Sequence, residues 1–249
     1  MAGRDFPATI VSFDLLDNYL FDILGKATSS GLVINSSGAK GYHLVISPVA
    51  GAGNDSIKVY KVSSVSAVCG TADTDKILTE TLLYSTTTPP NGVIYVKDKV
   101  WIDGTINGDR INILAFSEPA TGNTTDIILN KSLLYTNYDG TDALGLIAQR
   151  NILIGLYSDD NIEVDAALIA KTGKVGRNYF TSSCDSTYYR RSKITINGSI
   201  ATSLRYGFAY TDGTGYQVRD LKFDEALKFA PPPHFPSTGD YTFISWKEK

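Results

Sequence analysis

The stretch Val100–Gly108, VWIDGTING, decides the reading of the fold, because three later stretches follow the same scheme. They are IILNKSLLY from Ile127, IEVDAALIA from Ile162 and ITINGSIAT from Ile194. Each runs hydrophobic, any residue, hydrophobic, then Asp or Asn. Successive side chains of a strand point to opposite faces. Val100, Ile102, Gly104 and Ile106 therefore share an inward face in the first stretch, and Ile127, Leu129, Lys131 and Leu133 in the second. Ile162, Val164, Ala166 and Leu168 do so in the third, and Ile194, Ile196, Gly198 and Ile200 in the fourth. Lys131 is the one misfit.

Columns of like aliphatic residues are what stacked parallel strands require, since one coil cannot bury its own apolar face. The expected fold is mainly β, a parallel β-helix or solenoid, with Ile102, Leu129, Val164 and Ile196 in one buried file. Asp103, Asn130, Asp165 and Asn197 would then alternate charged with neutral, which relieves repulsion between neighbouring strands. The triplet LIA at Leu146 returns at Leu168, which supports stacking. The four stretches begin 27, 35 and 32 positions apart, so loops such as TNYDGTD and SSCDSTYYRR should project from the coils. An antiparallel sandwich shares the alternation and is the competing architecture.

Outward from this region the pattern changes. Ser12–Ala27 places Leu15, Leu16, Tyr19, Leu20, Ile23 and Leu24 at helical spacing, with Ser12 as cap and Asp14 near the positive end of the dipole. GLVIN, GYHLVIS, SIKVYKVSSV and KILTETLLYS then read as short strands, and Pro89-Pro90-Asn91-Gly92 as a turn. A loose boundary there separates an N-terminal α+β part, residues 1–91, from the repeating part, residues 92–249. From Tyr206 to Trp246 ten aromatic residues occur around APPPHFP. Pro231–Pro233 cannot fill a central strand, so this tail should cap the solenoid by packing on its last coil.

The composition agrees with strands and turns: among 249 residues there are one Met, fifteen Tyr and twenty-two Gly. A net charge of −3 gives the whole chain no electrostatic footprint for nucleic acid or an anionic membrane. No apolar run reaches the roughly 18 residues needed to span a bilayer. The start, MAGRDFPATIV, lacks a charged-then-apolar leader pattern, leaving open whether a leader precedes it. Cys69 and Cys184 lack the close spacing of a zinc or redox motif. Two unpaired thiols are the preferred reading and a disulfide the alternative.

Chemistry is sparse. His43 and His234 have no nearby His or Cys, so both read as structural and no metal or cofactor is expected. GAGND at Gly51 lacks the ending of a phosphate loop and reads as a hairpin tip. Tyr188–Arg191, YYRR, could hold an anion, a sugar or a base, but reads first as a solvated loop. Asp103 and Asp165 could begin a calcium site or form a carboxylate pair for sugar chemistry, with turn support as the plainer account. The Asn-x-Ser/Thr patterns at Asn35, Asn54, Asn123, Asn130 and Asn197 carry little weight.

Taken together, GVIYVKDKVWIDGTINGDRINILA, YDGTDALGLIAQRNILI, IEVDAALIAKTGKVGR, ITINGSIATSLRYGFAY and PPPHFP resemble the repeating motifs of bacterial β-helical surface proteins, the PilX-like or type IV pilus-associated ectodomains. The resemblance covers roughly Gly92–Trp246, with a weaker echo around the helix and GYHLV. It implies a non-enzymatic structural module at the cell surface, with other pilus or surface subunits as partners and no catalytic residues to carry over. Members begin with an apolar anchoring helix, which this chain lacks. The alternatives are a carbohydrate-active β-helix using Asp103 and Asp165, or an adhesin that binds glycan through YYRR or the aromatic tail.

Overall fold

The computed structural model describes residues 16–50, 54–66, 68–70, 72–117 and 125–236, with the side chains of 16–18 left aside. The chain begins with helix α1 (Leu16–Ser30), followed by β1 (Leu32–Ile34), β2 (Gly41–Ser47), β3 (Ser56–Val65) and β4 (Ile77–Thr87). Then come β5 (Val93–Val96), β6 (Val100–Ile106), β7 (Arg110–Ala115), β8 (Ile127–Ile128) and β9 (Leu133–Tyr135). The last are β10 (Ala143–Ala148), β11 (Ile152–Ile154), β12 (Asn161–Ala170), β13 (Val175–Arg177), β14 (Arg190–Thr202) and β15 (Gly215–Phe223). The molecule is thus mainly β, with a many-stranded sheet that is parallel except at β2–β3 and β3–β4. The four short strands expected before Pro89 are β1 to β4. Ser12, Asp14 and Leu15 lie outside the described residues.

The parallel pairings form three rows. In the first, β1, β5, β7, β10 and the second halves of β12 and β14 lie side by side, aligning Leu32, Ile94, Ile113, Leu146, Leu168 and Ile200 in one file. The two LIA triplets are direct neighbours in it. In the second row Tyr42, Val100, Ile127, Ile152 and Val175 stand in line on β2, β6, β8, β11 and β13. In the third, β2, the end of β6, β9, the first half of β12, β14 and β15 align Ile46, Gly104, Leu133, Val164, Ile196 and Leu221. All three files belong to one apolar core, with Leu32 and Ile200 packed against it and Gly104 and Leu221 outside it. Each fully buried Leu or Ile contributes roughly 2 kcal/mol by leaving water.

The expected file is corrected at its first two members, where Gly104 and Leu133 stand in place of Ile102 and Leu129. Val100 pairs with Ile127, yet Gly104 pairs with Leu133, so two extra residues enter between Leu129 and Leu133. Leu133, not Leu129, stands between Gly104 and Val164, and Ile102 pairs with Leu44. Leu129 is still buried in the same core. The cause is Asn130: its Oδ1 accepts from the Gly155 backbone N–H at 3.0 Å and its Nδ2 donates to the Asp75 carbonyl at 2.8 Å. The chain turns there, Lys131 swings to solvent, and the misfit disappears. The Asp/Asn column survives only as Asp165 beside Asn197.

Two of the three rows have their outer faces covered by the chain itself. Leu20, Ile23 and Ala27 of α1 pack on Tyr95, Leu114, Ile147 and Ile169, the outward side of the first row. The tail joins them there. Arg110 donates to the Pro231 carbonyl, Asn112 Nδ2 to the Pro233 carbonyl at 3.1 Å, and Phe235 packs with the helix cluster. The expectation that the tail hides the last coil's edge is therefore corrected as far as Pro236. Val218, Leu221 and Phe223 of β15 remain exposed, because Arg110 and Asn112 hold the tail's carbonyls on the outward side of the first row instead.

The second row is covered by a strap, residues 66, 68–70 and 72–76 of the connection between β3 and β4. Trp101, Ile128 and Leu153 are buried beneath this region with Val62. The Asp75 carbonyl accepts from Trp101 Nε1 at 2.8 Å, and the Thr74 carbonyl from the Leu156 N–H at 3.2 Å. Cys69 on the strap forms a disulfide with Cys184, which lies between β13 and β14, with Cα atoms 5.6 Å apart. The preferred reading of two unpaired thiols is corrected. The strap runs the length of the row and carries one cysteine to the other.

The small residue of the refrain has a steric cause. Gly104 has φ +124°, and a Cβ there would collide with the Ile46 carbonyl of the next strand. Gly198 is pressed likewise against Ala166. Gly104→Ala is expected to lower stability by about 2 kcal/mol in urea titrations followed by circular dichroism. An unchanged midpoint would contradict the packing described.

Candidate functional site

Among the described residues no helix or strap covers the outer face of the third row, and its polar groups converge at one end. Alternation turns Tyr42, Leu44 and Ile46 of β2 into the core and His43 outward. On the adjoining β6 it turns Val100 and Ile102 inward and Asp103 outward. His43 pairs with Trp101, so Asp103 is its diagonal neighbour. Its Nε2 lies 2.8 Å from Asp103 Oδ2, and its Nδ1 lies 2.8 Å from Glu80 Oε2 of β4. The ring also leans on Tyr60, with centroids 5.7 Å apart.

Two carboxylates on opposite nitrogens demand two N–H donors, which only the imidazolium has. Burial by itself pulls the His43 pKa down, but hydrogen bonds and charge from Asp103 and Glu80 outweigh it, so the net shift is upward. His43 thus forms an ionic clasp across three strands, with partners that its isolation in sequence did not reveal.

Beside this clasp a cleft of about 390 Å³ opens, lined in part by Glu80, Asp103, Asn130, Tyr157 and Tyr188. The Tyr157 and Tyr188 rings meet at 4.9 Å, tilted by 56°. Lys76 Nζ sits 4.5 Å from the Tyr157 centroid, and the Arg191 guanidinium 4.3 Å from that of Tyr188. Arg177 holds this corner from below. It is 1% exposed and donates to the Leu156 carbonyl at 3.0 Å, Ser158 Oγ at 2.8 Å and the Tyr188 carbonyl at 2.8 Å. Burial without a carboxylate partner pushes its pKa down to about 10. Sequence reasoning missed Arg177 and Glu80, since neither sits in a motif and their partners are distant in the chain.

Asp103 and Asp165 are not brought together. Asp165 is buried and accepts from the Tyr135 N–H at 2.8 Å and the Tyr138 hydroxyl at 2.9 Å, tethering the loop after β9. Other acidic corners act alike: Asp126 accepts from the Asn151 N–H at 3.0 Å, and the Asn151 side chain accepts in turn from the Lys174 N–H at 3.0 Å. These are the turn supports expected of Asp and Asn. Only Tyr188 and Tyr189 of YYRR lie in the loop, while Arg190 and Arg191 open β14 and Arg191 is buried. His234 lies in the tail, where its carbonyl accepts from the Tyr19 hydroxyl. Gly51–Gly53 lie outside the described residues; the flanking β2 and β3 pair as a hairpin.

Among the described residues no group of three His, Cys, Asp or Glu side chains could hold a metal ion, and no helix is long and apolar enough to cross a membrane. Comparison with protein-family models, with curated proteins and with solved structures finds no match.

Two pH effects follow. The folded His43 pKa lies above the unfolded value of about 6.5, so its stabilisation is complete below that value and is lost as pH rises through the folded one. The urea midpoint should fall over that window, and His43→Gln should remove this component of the slope. Asp165 behaves in the same sense, because burial raises its pKa to about 6 against backbone and tyrosine hydrogen bonds. Burying its charged form costs stability at neutral pH. Asp165→Asn keeps an oxygen for both donors and should raise Tm by about 2–4 °C at pH 7, with the gain gone at pH 4. An equal gain at both pH values would contradict the assignment.

Proposed function

We propose that the three rows are the faces of a parallel β-solenoid, and that the protein is a non-enzymatic extracytoplasmic module of the cell surface, associated with pili or other surface subunits. The carrying observation is the division of labour among the faces. α1 and the tail cover the first row and the strap covers the second, while among the described residues neither lies over the third, which is bordered by loops. A stiff stack with one free polar face is a frame for presenting loops, which is where scaffolded binding is usually placed. The disulfide supports an oxidising compartment, since such bonds are rare in reducing ones. The motif resemblance supports the pilus or surface association.

The placement of the carboxyl groups favours a module without catalysis. Glycoside cleavage by a carboxyl pair needs two carboxyl groups flanking the bond to be cut. Here Glu80 and Asp103 are each turned to His43 at 2.8 Å, and Asp165 is engaged elsewhere by Tyr135 and Tyr138.

Incubation with a pectin and glycan panel should release no new reducing ends, and fractionated producer cells should carry the protein outside the cytoplasm with Cys69 and Cys184 oxidised. Reduction should cost about 3 kcal/mol of stability. Turnover abolished by Asp103→Asn, or a cytoplasmic reduced protein, would end this reading.

A further inference from the structure

The cleft beside His43 has features that the scaffold role leaves unused. Glu80 and Asp103 each give one oxygen to the imidazole, and no protein donor among the described residues reaches Glu80 Oε1 or Asp103 Oδ1. The hydroxyls of Tyr157 and Tyr188 likewise make no hydrogen bond among the described residues, although their rings are fixed by Lys76, Arg191 and the carbonyl held by Arg177. Acceptors, hydroxyl donors and aromatic surface therefore border one concavity.

These groups are also held in place before any ligand arrives. The shared imidazolium locks both carboxylates. The disulfide ties the strap to the loop carrying Tyr188. Fixing such groups in advance reduces the ordering cost of binding.

The charges decide the class of ligand. The lining includes three cations, His43, Lys76 and Lys131, and three carboxylates, Glu80, Asp103 and Asp159. A balanced site of this kind gives no net attraction to a phosphate, a polyanion or a basic peptide. It suits a neutral molecule with many hydroxyls and an apolar ring face. A volume of about 390 Å³ accommodates one or two sugar rings.

We propose that this cleft binds a neutral or N-acetylated saccharide, with hydroxyls donating to Glu80 Oε1 and Asp103 Oδ1 and a ring lying against Tyr157 and Tyr188. The inference deepens the surface-module reading and rests on it in one respect, that the sugar leaves unchanged.

The test uses the full chain on an array of neutral, N-acetylated and uronic-acid oligosaccharides, followed by calorimetry with the tightest binder. Binding should favour neutral or N-acetylated members. It should weaken at least 10-fold in Tyr188→Ala and Glu80→Gln, and stay unchanged in Tyr206→Ala on the exposed far edge. Thermal melts of each variant separate lost binding from lost folding, and Tyr157→Phe, which removes only a hydroxyl, should weaken binding without moving Tm. No binding across the array, preference for uronic acids, or affinity untouched by these substitutions overturns the site. Mass spectrometry of the recovered sugar separates the two readings: a cleaved product upholds the cleft but sinks the non-enzymatic role.

Discussion

The interaction on which everything else depends is the contact of one aliphatic side chain with its counterpart on the next parallel strand. Leu32, Ile94, Ile113, Leu146, Leu168 and Ile200 form the longest such file. A slip of one residue would turn a whole strand's apolar set outward, so the files hold register as well as energy. That constraint fixes which residues face out. It puts His43 and Asp103 within reach across β2 and β6, and leaves Glu80 to be delivered by the hairpin of β3 and β4.

Covering segments then decide where chemistry can sit. The outward residues of the first two rows are apolar, and burying them consumes α1, the tail and the strap. The third row presents Asp103, Glu163, Thr195 and Asp220 instead. Polar residues there need no cover, and the concavity forms where that open row meets the edge of the strap. Arg177 stabilises the junction through carbonyls and the Ser158 hydroxyl, which explains how a buried guanidinium can order a loop without a salt bridge.

Much of this was legible in the chain. The four repeating stretches announced strands paired in parallel, and LIA announced its own partner. Val164 beside Ile196 and Asp165 beside Asn197 followed from spacing alone. The second stretch misled because Asn130 is used by groups remote in sequence, the Gly155 N–H and the Asp75 carbonyl, and periodicity cannot register a turn made that way. The disulfide was hidden for a related reason: 115 positions separate the cysteines, and only the strap's path joins them. The clasp was half visible. Asp103 stood out in the refrain, whereas Glu80 lay in a strand whose partner order no alternation could reveal.

The strap has a mechanical meaning. Parallel strands pulled apart along the stacking direction fail one hydrogen-bonded rung at a time, each a weak link under tension. A covalent tether from beside the first rungs of the second row to beyond its last lies alongside those links and shares their load. Force applied between the ends must then stretch sulfur and backbone before the intervening rungs can unzip.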